Sequence, residues 1–252
     1  MNNSIQLAAY IIILLTGIII ALYPKIHGYK LNTESSRAVN QFYEEIYDAE
    51  FAPAESDGEQ EEAELPEVTP MPYASLYADM EAYNEQLYLR GQDKLASSWA
   101  YQEALFELSE YGLSDEVFGT VSVPSLDILL PLYIGASEGN MAKGAAIMAQ
   151  TSMPIGGKNT NCVIAGHCGF YGADYFRYLC DIQLGDEVII TTPWSADSYT
   201  VVETKIIQPD DIAEILIRPD RELLTLLTCH PYASGGKYRF LAFCERTNEY
   251  GN

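Results

Sequence analysis

The sequence predicts a mainly β domain, an antiparallel barrel or sandwich, carried behind one membrane helix and a helical region. From Val117 onward, short runs rich in β-branched and aromatic residues are bounded by Gly, Pro, Asn and Asp, the punctuation of strands and turns. Leu7 to Tyr23, "LAAYIIILLTGIIIALY", carries no charge. Between these two regions apolar residues recur three and four apart, the period of a helix face.

The N-terminal run is at the short end of the about 17–25 residues that cross a bilayer. It exceeds the core of a cleaved signal peptide, has no basic residue ahead of it and meets no small-x-small site before Pro24. An uncleaved single-pass anchor is therefore expected. Lys25, Lys30 and Arg37 follow it; taken alone they favour a cytoplasmic C-terminal side. In "NTESSRAVNQFYEEIYDAEF", Val39, Phe42, Tyr43, Ile46 and Tyr47 have the spacing of a short amphipathic helix. From Glu44 to Glu67 eleven acids occur without a base, interrupted by Pro53, Gly58 and Pro66, the composition of a solvated linker. A second helix is expected from Tyr73 to about Tyr101, with Leu76, Met80, Tyr83 and Leu87 as its packing stripe.

The strand regions are "VFGTVSVPSLDILLPLYIG", "NCVIAGH", "DEVIITT", "SYTVVETKII", "ELLTLLTC" and "KYRFLAFCE". A helical turn or two fits between Ala136 and Gln150, where "GASEGNMAKG" lacks the residue order of a phosphate-binding loop. The net charge of −22, from 36 acidic and 14 basic residues, argues against nucleic acid as a partner, because phosphate binding depends on Lys and Arg displacing counterions. Cys162, Cys168, Cys180, Cys229 and Cys244 form no C-x-x-C pair. Neither a zinc ribbon nor a disulfide ladder is expected, and no cofactor or metal.

Cys229 ends an apolar β-run, "LLTLLTC", with His230 directly behind it. Successive strand residues point to opposite faces, so His230 is turned away from the thiol. A base from another strand has no such restriction. His167, in "VIAGHCGF", is the other histidine of the β region, while His27 is remote in sequence. A thiol is mostly protonated near neutrality, so nucleophilic use needs a nearby cation. His167 and Arg239, in "GGKYRFLAF", could supply two. A guanidinium can also stabilise a developing oxyanion without changing protonation state. The bland readings are a buried cysteine, a satisfied turn histidine and a solvent-facing arginine.

The same residues carry a family resemblance. "TLLTC" (Thr225 to Cys229), "AGH" (Ala165 to His167) and Arg239 on the next strand stand in the order of the sortases, the membrane-anchored cysteine transpeptidases of Gram-positive bacteria. Together with "LPLYIGAS", "TSMPIGGKNTNCVIAGH" and "GDEVII", they make the region from Val117 to Glu245 resemble that family. Within it the chain looks most like class C, the pilin-polymerising group. That group often covers its active site with a lid anchored by Asp-Pro-aromatic, and no such triplet occurs between Tyr29 and Val117. Cys168 is a further departure, at a position where Arg commonly follows the histidine.

The resemblance implies a closed β-barrel of about eight strands with short helices. It implies Cys229 as nucleophile, His167 as general acid/base and Arg239 as stabiliser of oxyanion or substrate, with Thr228 and His230 flanking the cysteine as substrate-binding positions. The substrate would be an LPxTG-like sorting signal cut between Thr and Gly. The acceptor amine would be a pilin Lys, or a cell-wall precursor in a housekeeping sortase. A non-catalytic membrane-tethered binding module and a hydrolysing cysteine protease are the other classes. The resemblance also places the catalytic domain outside the cell. The domain plan is then a cytoplasmic tail at 1–6, an anchor at 7–23, a helical region at 24–110 with its acidic linker at 44–67, and the catalytic barrel at 111–248.

Overall fold

The computed structural model describes residues 3–51, 71–92, 95, 105–113 and 116–247. Its strands are β1 (Val117–Val123), β2 (Ile128–Ile134), β3 (Ala145–Ile147), β4 (Thr160–Ala165), β5 (Cys168–Phe170), β6 (Ala173–Tyr175), β7 (Glu187–Thr191), β8 (Ala196–Ile207), β9 (Glu222–His230) and β10 (Tyr238–Arg246). Eight of them close into a barrel in the order β1-β2-β3-β4-β9-β10-β8-β7, with β7 pairing back onto β1. The mainly β, closed-barrel expectation is met. Two pairings are parallel, β2 with β3 and β4 with β9, and the other barrel pairings are antiparallel. β5 and β6 form a separate hairpin.

Alternation along the strands sorts their side chains into two buried layers. Ile164, Leu224, Leu226 and Ala242 join Val121 and Leu132 in one cluster. Their neighbours Val163, Ala165, Leu227 and Leu241 belong to a second cluster with Phe42 and Ile215. This is the two-residue period of a sheet buried on both faces. Among the described residues three α-helices accompany the barrel: α1 (Asn3–Phe51), α2 (Ala74–Arg90) and α3 (Glu138–Lys143).

α1 runs unbroken where the sequence suggests an anchor followed by a separate short helix. Its first part is long and apolar enough to cross a membrane, and those apolar side chains are exposed. Beyond it, Val39 and Phe42 are buried and Tyr43 Oη lies 3.2 Å from Thr120 Oγ1 of β1. Packing on the barrel thus sustains a helix through Pro24 and Gly28, residues that local propensity reads as breaks. The acidic run is helical as far as Phe51, and residues 52–67 of the expected linker lie outside the described residues.

α2 buries Leu76, Met80 and Leu87, three of the four residues of the expected stripe, and Tyr83 packs against the same core. It ends before Gly91, whose φ of 76° suits glycine. The helix is therefore shorter than expected, and residues 96–101 lie outside the described residues. Asn84 adds a paired hydrogen bond to the barrel: its Nδ2 donates to Met153 O at 3.1 Å and its Oδ1 accepts from Met153 N at 2.7 Å.

Candidate active site

β9 and β10 pair in a register that sets Arg239 directly opposite Cys229. Directly opposite residues share a face, with Cβ atoms about 4.5–5.5 Å apart. On the other side of β9, parallel pairing brings Ala165 of β4 alongside Leu227, and Gly166 N donates to Leu227 O at 3.0 Å. His167 lies two residues beyond Ala165, and Cys229 two beyond Leu227. Thr228 fastens this junction, donating from Oγ1 to Gly166 O at 2.8 Å. The structure therefore gathers His167, Cys229 and Arg239 at the ends of three neighbouring strands.

Arg239 is 3 % exposed, and its Nη1 donates to Gly236 O at 2.9 Å and Tyr238 O at 3.1 Å. Burial draws its pKa below the ordinary value, and the Cys229 thiolate works in the opposite direction. A guanidinium keeps its charge under such conditions, so a fixed cation sits beside the thiol. His167 is half-buried, and burial lowers its pKa as well. Its ring stacks on Phe170 at 4.7 Å with 6° between the planes.

His230 lies on the opposite face of β9, as alternation requires. Its Nδ1 is 3.3 Å from Cys180 Sγ, and its ring is 6.4 Å from that of Phe240. Thr228 is fully buried, so it bears on the cleft through Gly166 and not through an exposed surface. Above β9, Tyr232 covers Gly169: a Cβ at that glycine would lie 2.9 Å from Tyr232 Cε2. Arg177 stacks over the Tyr232 ring at 4.5 Å and bonds Asp174 at 3.2 Å.

All five cysteines are free thiols. Burial raises the pKa of Cys162, Cys244 and Cys168, with the Cys229 thiolate adding to the shift at Cys168. Cys180 is pushed up to about 11, chiefly by burial. Each of these four resists forming a thiolate. Cys229 stands opposite the buried Arg239.

Sequence reasoning did not single out Phe170, Cys180 or Tyr232. Phe170 had a local signal, three residues after His167 in "GHCGF". Tyr232 had the same kind of signal, three residues after Cys229, whereas Cys180 reaches the site through tertiary packing and left none. His27, distant in sequence, lies beside the hairpin that follows His167, its ring 5.7 Å from that of Tyr171.

A closed barrel with cysteine, histidine and arginine at adjoining strand ends is the architecture of a known protein class. The sortase domain model matches residues 121–247, half of the chain, and the chain belongs to the sortase family. Among curated relatives, "Sortase A" of Listeria monocytogenes serovar 1/2a is 32% identical over 131 residues, covering 52% of this chain and 57% of the relative. "Sortase D" of Bacillus subtilis (strain 168) is 25% identical over 130 residues, covering 51% and 63%. The match thus spans less than two thirds of either relative's length.

Solved structures extend the likeness beyond the barrel. "Sortase C1 of GBS Pilus Island 1" has a TM-score of 0.68 at 23% identity, covering 86% of this chain and 94% of that one. Sortase C-1 from Actinomyces oris has a TM-score of 0.62 at 27% identity, covering 71% and 99%. Sortase C from Clostridium perfringens SM101 has a TM-score of 0.61 at 26% identity, covering 83% and 98%.

Proposed function

We propose that this chain is a membrane-anchored cysteine transpeptidase that cuts an LPxTG-like sorting signal between Thr and Gly and passes the acyl group to an amine. The observation that carries the reading is the Cys229–Arg239 pairing across β9 and β10, with His167 at the end of the strand on the other side of β9. Cys229 Sγ, as thiolate, attacks the Thr carbonyl carbon. Arg239 stabilises the oxyanion of the tetrahedral intermediate. Protonated His167 gives its proton to the Gly amine as the C–N bond breaks and a thioester forms. An incoming amine then attacks the thioester, His167 takes its proton, and the thiolate departs.

Solved neighbours at 27–28% identity whose titles name a pilus favour a pilus subunit as the source of the acceptor amine, in this reading a pilin Lys. The sortase A relatives favour a second reading, attachment of surface proteins to a cell-wall precursor. Both readings place residues 7–23 in the membrane, the barrel at 111–248 outside the cell, and Thr228 and His230 behind the cleft as shape-setting residues.

Cys229→Ala is expected to abolish cleavage of a fluorogenic sorting-signal peptide, to background, with the circular dichroism spectrum unchanged. Residual cleavage at the wild-type rate would sink the assignment of the nucleophile. His167→Ala should lower kcat by on the order of 10²–10⁴, and His230→Ala far less; equal losses would return the base to His230. Product analysis with and without an added amine separates the transferase from a hydrolase.

A further inference from the structure

Where α1 leaves its apolar run, it meets the hairpin that follows His167. Gly28 is buried against the turn between β5 and β6: a Cβ on Gly28 would lie 2.2 Å from the carbonyl carbon and oxygen of Gly172. In return, a Cβ on Gly172 would lie 2.1 Å from the Pro24 carbonyl oxygen, and its φ of 93° already disfavours side chains. Helix backbone and turn backbone therefore touch directly, which only two glycines allow.

This contact aligns a row of rings that ends at the candidate general acid. Tyr23 lies 5.6 Å from His27, and His27 lies 5.7 Å from Tyr171. Tyr171 meets Phe170 edge-on at 4.8 Å, and Phe170 stacks flat on His167 at 4.7 Å. Nδ1 of His27 is buried without a hydrogen-bond partner, as is Nε2 of His167. Ring contacts, and no hydrogen bond at these two nitrogens, bear on the orientation of both imidazoles.

We propose that His27 is a positioning residue: seated by the Gly28–Gly172 contact, it buttresses Tyr171 and Phe170 and so holds the His167 ring in the plane that serves Cys229. The membrane helix thereby sets active-site geometry in addition to tethering the enzyme. The proposal rests on the transpeptidase reading given above.

The test uses the full-length chain in detergent micelles, comparing wild type with His27→Ala, His27→Phe and Gly28→Leu. Two quantities are read: kcat and KM for a sorting-signal peptide, and the iodoacetamide alkylation rate of Cys229 resolved by peptide mass spectrometry. His27→Ala and Gly28→Leu should lower kcat about tenfold and leave KM within about twofold, because geometry and not binding is lost. Cys229 alkylation should slow about threefold as the imidazole drifts from the thiolate. His27→Phe, which keeps a ring in place, should restore both.

Unchanged kcat and alkylation in His27→Ala would overturn the proposal, as would equal losses in His27→Ala and His27→Phe. His27→Ala decides the matter if Gly28→Leu does not fold. A wild type that turns over no peptide defeats the transpeptidase reading alone, since the alkylation series still decides the positioning role.

Discussion

His167 works in surroundings that resist its charged form. Burial against Phe170 lowers its pKa from the ordinary 6.5, so the protonated form that the proposed proton transfer uses is the minority form near neutral pH. The limb of the kcat/KM profile that belongs to His167 should therefore lie on the acid side of that value. Phe170→Ala admits water to the ring and should move that limb to higher pH, toward the ordinary value. A stopped pH–rate series on both enzymes reads the shift, and an unmoved limb would show that Phe170 does not govern the titration. Stability follows the same sign. As pH falls through the ordinary value, the unfolded chain takes up a proton that the folded His167 does not, so this group's contribution to stability is lost toward acid.

At the scale of elements, α2 is held by shape, by the Asn84 amide and by a hydrogen bond that Tyr111 Oη donates to Asp79 at 2.8 Å. Leu76 and Met80 are fully buried, and Asn84 pairs with both polar groups of Met153 as a neighbouring strand would. Asn84→Ala leaves the Met153 N–H without its partner near the core, while Met153 O keeps the Ile155 N–H at 2.9 Å; the orphaned N–H should cost about 1–3 kcal/mol. Urea unfolding measures it; a change well under that range would mean water replaces the amide. Met153 starts the segment that leads into β4 and on to His167, so the same variant should lower kcat through a slackened β4.

How far these elements were legible follows from their length and their partners. β9 and β10, nine residues each, were readable as strands from their continuous apolar runs, and the two-residue period of strand geometry turned His230 away from Cys229. β3, β5 and β6 are three residues long, too short for any period to register. "GFYGAD" therefore carries no strand period, although it supplies Phe170 to the candidate site. The anchor at 7–23 and the short helix around Val39 and Phe42 read as separate because the continuity of α1 depends on Val39 and Phe42 packing on the barrel, which no local pattern displays. The contact of His27 with the hairpin was hidden for the same reason: Gly28 meets Gly172 across a long stretch of sequence.

For the whole molecule the dominant property is its charge, 36 acids against 14 bases. Such a field concentrates cations and repels anions near the surface, and salt weakens it, the screening length falling from about 10 Å at 0.1 M to about 3 Å at 1 M. In the proposed reaction water and an amine compete for the same thioester. A lysine side chain arrives as an ammonium ion and loses its proton only at the site, whereas hydroxylamine arrives neutral near pH 7.5. Raising salt from about 0.1 M to about 1 M should therefore lower the ratio of amide adduct to hydrolysis several-fold for a lysine peptide. For hydroxylamine it should leave the ratio nearly unchanged. Mass spectrometric product ratios at fixed acceptor concentration decide this. A salt effect of equal size for both acceptors would locate it in the acylation chemistry, and the acidic surface would have no part in gathering the amine.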